Sequence, residues 1–212
     1  MKIYCVPQGI IDANCYVLVD EKSGEAALID VGGFDNSLKS ILENEEIKKV
    51  KYILLTHGHY DHLLGVYDAK EHTGAKVAIH KMDKECLTDE NSSLAYQIES
   101  VKQKPVEPDI ILKDGMKLNV GNIELEVLHT PGHSKGSVCF VCESERIIFS
   151  GDTLFLKTYG RTDLQGGSWS ELQLSLNKLA LLEGDYIVYP GHFMQTSLDF
   201  ERKHNRYMRR NK

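Results

Sequence analysis

Short apolar runs and alternating apolar and polar positions recur along the chain, and both patterns predict β-strands. The runs are rich in Val, Ile, Leu and aromatic residues. Before residue 110 they predict strands at 3–6, 15–19, 26–29, 50–55 and 76–80. Strands also dominate the stretch from 110 to 149, with turns at 113–115 and 120–122, and another strand is predicted at 186–189. The pattern therefore predicts two blocks of strands.

Apolar residues spaced three or four positions apart predict helices between and after these strands. Asp35 or Asn36 is expected to open the first helix as its N-cap. Ser168 and Glu171 have the spacing of a capping box, in which the hydroxyl and the carboxylate satisfy free amides at the helix start. Thr196 is predicted to cap the last helix. The buried sides of the first three helices are marked by Leu38, Ile41 and Leu42, by Leu63, Val66 and Tyr67, and by Leu172, Leu176 and Leu179.

Residues 82–108 show the weakest pattern in the chain. A weak helical spacing around Leu94 and Ile98 precedes Pro105 and Pro108, which interrupt regular structure. We interpret this segment as an ordinary connector, and a loop or lid on the substrate side is the alternative.

The densest cluster of potential metal ligands follows the predicted strand at 50–55. The segment Thr56-His57-Gly58-His59-Tyr60-Asp61-His62 places three histidines and one aspartate within six residues. Capping and solvation explain one such residue, but rarely four together. In an extended loop His57 and His59 point to the same side, while Asp61 and His62 can turn toward a neighbouring point. Since zinc, iron and manganese accept imidazole and carboxylate, the segment predicts a site for two adjacent cations.

Three further candidate ligands lie downstream, namely His133, Asp152 and His192. Each follows a strand-like run, and each is immediately preceded by a glycine. Glycine allows the backbone to turn sharply and to bring the next side chain close to a crowded centre. We therefore expect four strand ends to converge on one site.

Length and composition predict one domain, residues 1–212, in the cytoplasm. A chain of 212 residues that is 42% hydrophobic can bury a sizeable core. The N-terminus lacks the pattern of a secretory signal, and no stretch approaches the ~20 apolar residues that span a bilayer, so no membrane partner is expected. Five cysteines in such a chain are interpreted as reduced thiols. Cys139 and Cys142 have CxxC spacing but lie on a predicted strand and face opposite ways, which argues against a zinc or redox pair.

The net charge of −6 is distributed unevenly. Residues 201–212 contain six Lys/Arg and one Glu, which leaves a net charge of −11 on the rest of the chain. Nucleic-acid affinity comes largely from clustered cations, so the acidic body disfavours nucleic acid as a partner. The basic segment is interpreted as a solvated helix end.

The ligand pattern resembles the signature of the metallo-β-lactamase superfamily. His-x-His-x-Asp-His is matched at 57–62, and a His, an Asp and a His follow in the family's order. The resemblance covers nearly the whole chain and implies an α/β fold, a four-layer αββα sandwich of two mixed β-sheets flanked by helices. The ligand sets that it implies are His57, His59 and His133 for one metal, Asp61, His62 and His192 for a second, and Asp152 as the bridge.

Within this superfamily, the segments Gly151-Asp152-Thr153-Leu154-Phe155 and Gly160-Arg161-Thr162-Asp163 resemble the short glyoxalase II-like hydrolases. That resemblance implies a dinuclear zinc hydrolase of a small thioester, in which a hydroxide that bridges the metals is the nucleophile. Iron or manganese is possible at either site.

Two residues outside the ligand set are expected to support the reaction. Arg161 stands where the glyoxalase II family has a cation that holds the substrate, and a pairing with Asp163 or Asp152 is the alternative. Asp30 looks like the family's acidic residue behind the metal ligands, and a turn-forming aspartate is the alternative.

The substrate is expected to differ from that of full-length glyoxalase II. The chain ends 20 residues after His192, so we expect no C-terminal helical domain to complete a glutathione site. Phe193 and Met194 place apolar side chains beside the expected metals. A small-molecule thioester is therefore the expected partner, with S-lactoylglutathione accepted only weakly, and the oligomeric state is left open.

Other branches of the superfamily provide the alternatives. The zinc β-lactamases typically carry Cys where Asp152 stands, which disfavours that branch. Residues 160–163 also resemble the persulfide dioxygenases, which bind one iron through two histidines and one carboxylate, here His57, His133 and Asp152. A mononuclear iron dioxygenase is thus one alternative, and a lactone or ester hydrolase with the same machinery is another.

Overall fold

Two six-stranded β-sheets pack face to face in the structure, a computed structural model that describes residues 1–44, 46–97 and 102–208. The strands β1 to β3 pair antiparallel, whereas β3 to β6 pair parallel. The first sheet contains, in chain order and in spatial order, β1 (Lys2–Gln8), β2 (Ala13–Asp20), β3 (Glu25–Ile29), β4 (Lys49–Leu54), β5 (Lys76–His80) and β6 (Ile110–Leu112).

The second sheet is formed by strands from the later part of the chain. In chain order these are β7 (Lys117–Val120), β8 (Ile123–His129), β9 (Val138–Cys142), β10 (Ile147–Gly151), β13 (Ile187–Pro190) and β14 (Thr196–Ser197), while β11 (Leu154–Phe155) and β12 (Thr158–Tyr159) form a separate pair. The spatial order is β14-β13-β10-β9-β8-β7, in which β10 and β13 are parallel. Chain segments that leave β10 and β13 therefore emerge at the same edge of the sheet.

Five α-helices cover the outer faces of the two sheets. They are α1 (Asn36–Leu42), α2 (Tyr60–Leu63), α3 (Val66–Thr73), α4 (Trp169–Ala180) and α5 (Leu198–His204), and two 3₁₀-helices span Lys81–Leu87 and Ala95–Gln97. Leu38 and Leu63 pack on the first sheet, and Leu172 and Leu198 pack on the second. The layers are therefore helix, sheet, sheet and helix, which confirms the predicted αββα sandwich.

Side chains that alternate along single strands allow each sheet to pack against helices on one face and against the other sheet on the opposite face. In β2, Val17 packs under the helices of the first layer, whereas Leu18 packs between the sheets. In β9, Cys139 faces α4, whereas Phe140 and Cys142 face the other sheet. Successive side chains of a strand point to opposite faces. Cys139 and Cys142 therefore face opposite ways, as predicted, and both are free and buried.

Some local predictions at the helix ends were wrong. Ser197 caps α5 by accepting a hydrogen bond from the Phe200 amide, whereas the Thr196 hydroxyl donates to the Glu201 carboxylate at 2.7 Å. At α4 the Ser168 hydroxyl accepts from the Glu171 amide as predicted. The Ser168 amide, however, donates to the Gly132 carbonyl, so the reciprocal half of the capping box does not form.

The predicted helix after residue 62 is interrupted. It forms as α2 and α3, with Gly65 as the N-cap of α3. A Cβ on Gly65 would collide with the backbone of Gly33, so the chain turns here against the loop that follows β3. Leu63 and Val66 are buried as expected, but Tyr67 lies on the exposed side.

The described residues around the segment 82–108 form the two 3₁₀-helices, and Leu94 and Gln97 line a cavity. Leu94 is buried, and Ile98 lies outside the described residues. The longest helix, α4, has 12 residues, and no helix in the described parts of the chain is long and apolar enough to cross a membrane.

Candidate metal centre

The first four candidate ligands lie where β4 gives way to α2. His57 and His59 occupy the connection, and Asp61 and His62 lie in the first turn of α2. His59 is the N-cap of α2, yet its side chain caps no amide of the helix. Its Nδ1 atom instead lies 2.8 Å from Nε2 of His133. The segment thus directs its side chains toward the second sheet.

The other three candidate ligands follow strands of the second sheet. His133 comes after β8, Asp152 after β10 and His192 after β13. The preceding glycines are needed because the loops approach one another closely. A Cβ on Gly151 would overlap the Thr56 side chain, and one on Gly191 would overlap the Asp152 carboxylate. The predicted reason for these glycines, access to a crowded centre, is what the structure shows.

The seven side chains converge on one point as two adjacent groups. The three-histidine group consists of His57, His59 and His133, and the Asp61 group consists of Asp61, His62 and His192. Within each group the potential ligand atoms lie within 4.8 Å of one another. In the Asp61 group, His192 Nε2 lies 3.0 Å from Asp61 Oδ2 and 3.3 Å from His62 Nε2.

Asp152 lies between the two groups. Its Oδ1 atom is 3.5 Å from His62 Nε2, and its Oδ2 atom is 3.5 Å from His133 Nε2 and 3.8 Å from His192 Nε2. One oxygen thus faces the Asp61 group, and the other faces both groups. This is the placement that a bridging carboxylate requires.

Hydrogen bonds define which nitrogen three of the imidazoles present to the centre. The Thr56 hydroxyl donates to Asp30, so it can only accept from Nδ1–H of His57, which lies 3.1 Å away. His133 Nδ1 donates to the Arg161 carbonyl at 2.7 Å, and His62 Nδ1 faces the Asp30 carboxylate at 3.0 Å. The Nε2 atoms of His57 and His133 therefore have lone pairs available for a cation, and Nε2 of His62 offers one once a cation displaces its proton.

Asp30 supports the ligands from behind rather than forming a simple turn. Its φ angle of 55° lies in the left-handed region. The Oδ1 atom accepts from the Thr56 amide at 2.8 Å, and Oδ2 accepts from the Thr56 hydroxyl at 2.7 Å. Since Oδ2 also faces His62 Nδ1, the carboxylate orients a ligand of each group.

Burial and charge prepare the side chains for a cation. Burial lowers the pKa of His59 to about 3 and that of His133 to about 4, so both are neutral imidazoles. Burial opposes a charge on His62, but the nearby carboxylates of Asp61 and Asp30 raise its pKa above its usual range. Burial also raises the pKa of Asp152. A cation at this centre relieves the crowding of negative charge that otherwise favours a proton on His62.

The donor set fits a metal ion. Among the described side chains, His57 Nε2 and Asp152 Oδ1 are buried without a hydrogen-bond partner, which normally costs about 1–3 kcal/mol per atom. Two neutral imidazoles also face each other at 2.8 Å in the three-histidine group. Cations placed among these atoms satisfy all of them, and the mixture of imidazole and carboxylate suits zinc or iron.

Comparison with known families agrees with this geometry. Residues 9–192 match the family model described as the metallo-beta-lactamase superfamily. The chain belongs to this superfamily. The hydroxyacylglutathione hydrolase GloC of Haemophilus influenzae is 30% identical to it over 214 residues, which cover 98% of each chain.

Two solved structures share the superfamily fold over nearly their entire length. One is described as the B3 metallo-beta-lactamase BLEG-1 and is 33% identical, with a TM-score of 0.90 over 99% of this chain and 100% of that one. The other is described as TTHA1623 in a di-iron-bound form and is 32% identical, with a TM-score of 0.84 over 96% of this chain and 99% of that one. The superfamily assignment therefore agrees with a cluster of side chains that could hold metal ions.

A cavity of about 460 Å³ opens beside the candidate metal centre. His59, Asp61, His133, Asp152 and His192 form its floor. The remaining lining is mostly apolar and consists of Ile11, Tyr60, Leu94, Gln97, Phe155, Arg161, Leu164 and Phe193. The candidate metal centre is thus accessible from an apolar cleft.

Arg161 lies at this cavity, but its guanidinium group is paired. It contacts the Asp163 carboxylate through two bonds of 2.7 Å, and both side chains are mostly exposed. The pairing with Asp163 that the sequence left open therefore forms, and the described ion pairs of Arg161 do not include Asp152. A substrate carboxylate would compete with Asp163 for this cation.

One buried acidic residue near the superfamily ligands was missed by the sequence analysis. Asp83 lies in the 3₁₀-helix Lys81–Leu87, and its carboxylate accepts hydrogen bonds from Gly58, Ser134 and Gly136. It belongs to the weakly patterned segment 82–108, where no metal-ligand spacing marks it. The available signal was one of two aspartates in a segment that also carries glutamates and lysines, which is too weak to single out.

Proposed function

We propose that this protein is a dinuclear metal hydrolase, with zinc in both sites, that cleaves a small thioester. The observation that carries the proposal is the position of Asp152 between the three-histidine group and the Asp61 group, at the floor of an open cavity. A carboxylate in this position holds two dications close together. The similarity to the hydrolase GloC supports the same class of reaction.

The chain's own residues bind and orient in this proposal. The three-histidine group would hold one ion and the Asp61 group the second, and the carboxylates of Asp61 and Asp152 would neutralise part of the positive charge. Asp30 and the Arg161 carbonyl fix the rings of His62 and His133. Two bound dications supply a water of lowered pKa and a Lewis acid for the carbonyl, which is the chemistry that thioester hydrolysis requires.

A covalent route through a side chain has no support at this cavity. The described residues that line it include no Ser, Thr or Cys. Cys86, which lies near Gly58, has its pKa raised to about 12 because it is buried, so it is not a thiolate at neutral pH. Hydrolysis by activated water is therefore the proposed chemistry.

The cavity wall favours an apolar acyl group on the substrate. Ile11, Phe155, Leu164 and Phe193 give the cleft an apolar surface, whereas Arg161 is its cation and is already paired. We therefore propose that short apolar acyl thioesters are better substrates than S-lactoylglutathione, whose thiol carrier is highly polar.

The decisive experiment combines metal analysis with thioester assays on protein purified without chelator. We expect two ions per chain, mainly zinc, together with turnover that a chelator removes and added zinc restores. Asp152→Asn keeps the shape but removes the bridging charge, so it should lower the occupancy of both sites and reduce turnover by orders of magnitude. Asp68→Asn, which removes only an exposed carboxylate paired with Lys104, is the control. Full turnover by Asp152→Asn with two ions bound would refute the bridge.

The identity of the metal separates this proposal from an oxygenase. A single iron per chain, bound through His57, His133 and Asp152 with the Asp61 group empty, would replace the hydrolase with the dioxygenase alternative. Two irons per chain, as in the TTHA1623 structure, would change the proposed metal but would remain consistent with a dinuclear hydrolase.

A second candidate function is β-lactam hydrolysis. The specific observation in its favour is the likeness to the structure described as the B3 metallo-beta-lactamase BLEG-1 over nearly the whole chain. The test is a chromogenic cephalosporin assayed beside the thioesters under the same conditions. A kcat/KM for the β-lactam above that for every thioester would establish this candidate in place of the first.

A further inference from the structure

A buried carboxylate that the proposed reaction does not use lies behind the three-histidine group. Asp83 is 3% exposed, and no cation pairs with it among the ion pairs that the structure describes. We propose, on the basis of the metal-binding function proposed above, that Asp83 is a positioning residue. It joins the two loops that carry the three-histidine group and thereby sets the affinity of that group for its ion, with little effect on the Asp61 group.

Each oxygen of Asp83 binds the ligand loops. Oδ2 accepts from the Gly58 amide at 3.0 Å and from the Ser134 hydroxyl at 2.6 Å. Oδ1 accepts from the Gly136 amide at 2.7 Å. Gly58 separates His57 from His59 and Ser134 follows His133, so one carboxylate is bonded next to all three imidazoles.

The packing around Asp83 leaves the loops little freedom to move. A Cβ on Gly136 would lie 2.5 Å from Asp83 Cγ, and a Cβ on Gly58 would lie 2.5 Å from Cys86 Cβ. The two glycines therefore allow the backbone amides to reach the carboxylate. Without the carboxylate, two buried amides would have no acceptor, and the loops would have to separate to find water.

Asp30 supports both groups, whereas the described contacts of Asp83 lie beside the three-histidine group. Asp30 contacts Thr56 and His62, whereas the described hydrogen bonds of Asp83 go to Gly58, Ser134 and Gly136. The Asp61 group therefore receives its support from Asp30 and from α2. Loss of a residue that acts only on general stability would weaken the binding of both ions alike. Loss of a positioning residue would weaken the binding of one ion.

The test uses Asp83→Asn, an almost isosteric change. The asparagine side chain keeps one acceptor oxygen. Its NH₂ group replaces the second oxygen of Asp83 and cannot accept the hydrogen bonds that this oxygen accepts. Asp89→Asn is the matched control, because Asp89 lies on the same segment and the described hydrogen bonds to its carboxylate come from its own turn, at Asn91 and Ser92. Zinc is titrated against a fluorescent chelator, and cobalt absorption reports the coordination.

Single-site backgrounds assign the effect to one ion. In a His192→Ala chain, which lacks a ligand of the Asp61 group, Asp83→Asn should lower the affinity for the remaining zinc ion by about 10- to 100-fold. In a His133→Ala chain, which lacks a ligand of the three-histidine group, Asp83→Asn should change the remaining zinc affinity by less than about 3-fold. Asp89→Asn should leave both affinities unchanged.

The outcomes separate this proposal from the proposed function. If wild type binds two ions and Asp83→Asn binds the three-histidine ion with wild-type affinity, the positioning role is refuted and the hydrolase stands. Equal weakening of both ions also refutes it, since that is a purely structural effect. A wild-type chain that binds no metal refutes the proposed function itself. Should Asp83→Asn fail to fold, Ser134→Ala removes one of the three hydrogen bonds and should weaken the same ion by a smaller factor.

Discussion

Phe193 offers a sharp test of the apolar cleft. It directly follows His192, is 73% exposed, and its ring lies 5.6 Å from that of Phe155. A phenylalanine side chain has about 200 Å² of surface, so an acyl chain that covers half of the exposed part buries about 75 Å². At about 25 cal/mol per Å², Phe193→Ala should lose about 2 kcal/mol of binding, or about 30-fold in kcat/KM.

A neighbouring residue provides the matched control. Met194 is 70% exposed but does not line the cavity, so Met194→Ala removes a similar apolar surface outside the cleft. The assay compares kcat/KM for thioesters of increasing acyl length. We expect the loss in Phe193→Ala to grow from near zero for acetyl to its full size for longer chains, with Met194→Ala unchanged. Equal losses in the two variants, or a loss independent of acyl length, would refute the acyl-binding role of Phe193.

Three further predictions concern other parts of the chain. Hydrogen bonds from Ser37 and Gln8 lower the pKa of Asp35 to about 2, so Asp35→Ala should cost about 1 kcal/mol of unfolding free energy at pH 7. Because the folded pKa is depressed, this loss of stability should be present above about pH 4 and should vanish as the pH falls through 2. Urea titrations of both proteins at each pH measure it. Phe140→Ala should cost about 3–5 kcal/mol in urea unfolding at pH 7, because Phe140 is fully buried between the sheets. Arg161→Ala should raise KM about 5-fold for a thioester that bears a carboxylate, and leave KM for a neutral one unchanged in the same steady-state assay.

The parts of the site that the sequence predicted are those encoded locally. The ligands at 57–62 adjoin one another in the chain, and each glycine before His133, Asp152 and His192 marks a close approach that only a residue without Cβ permits. Their common position could be expected because they follow strands, and the convergence was confirmed. The alternation in β9 likewise needed only the period of a strand to place Cys139 and Cys142 on opposite faces.

The missed features depend on contacts between distant segments. The Ser168 amide is taken by Gly132, which lies on another loop, so the local capping box forms only in half. Thr196 is engaged by Glu201, and the next residue becomes the cap. Asp83 has no partner close to it in the chain, since its donors lie at 58 and 134–136. Periodicity describes which face is buried, but it does not reveal which polar group will meet a given amide.

The distribution of ligands over both sheets has a consequence for how the protein matures. His59 and His133 are 74 residues apart in the chain, and His62 and His192 are 130 apart. While the chain is being synthesised, the first sheet can form with its four clustered ligands, but neither ligand group is complete until strands of the second sheet have emerged. Loading of the proposed pair of ions should therefore follow synthesis. Because each proposed site takes ligands from both sheets, an ion bound there would hold the two sheets together and would stabilise the folded chain by binding it in preference to the unfolded one.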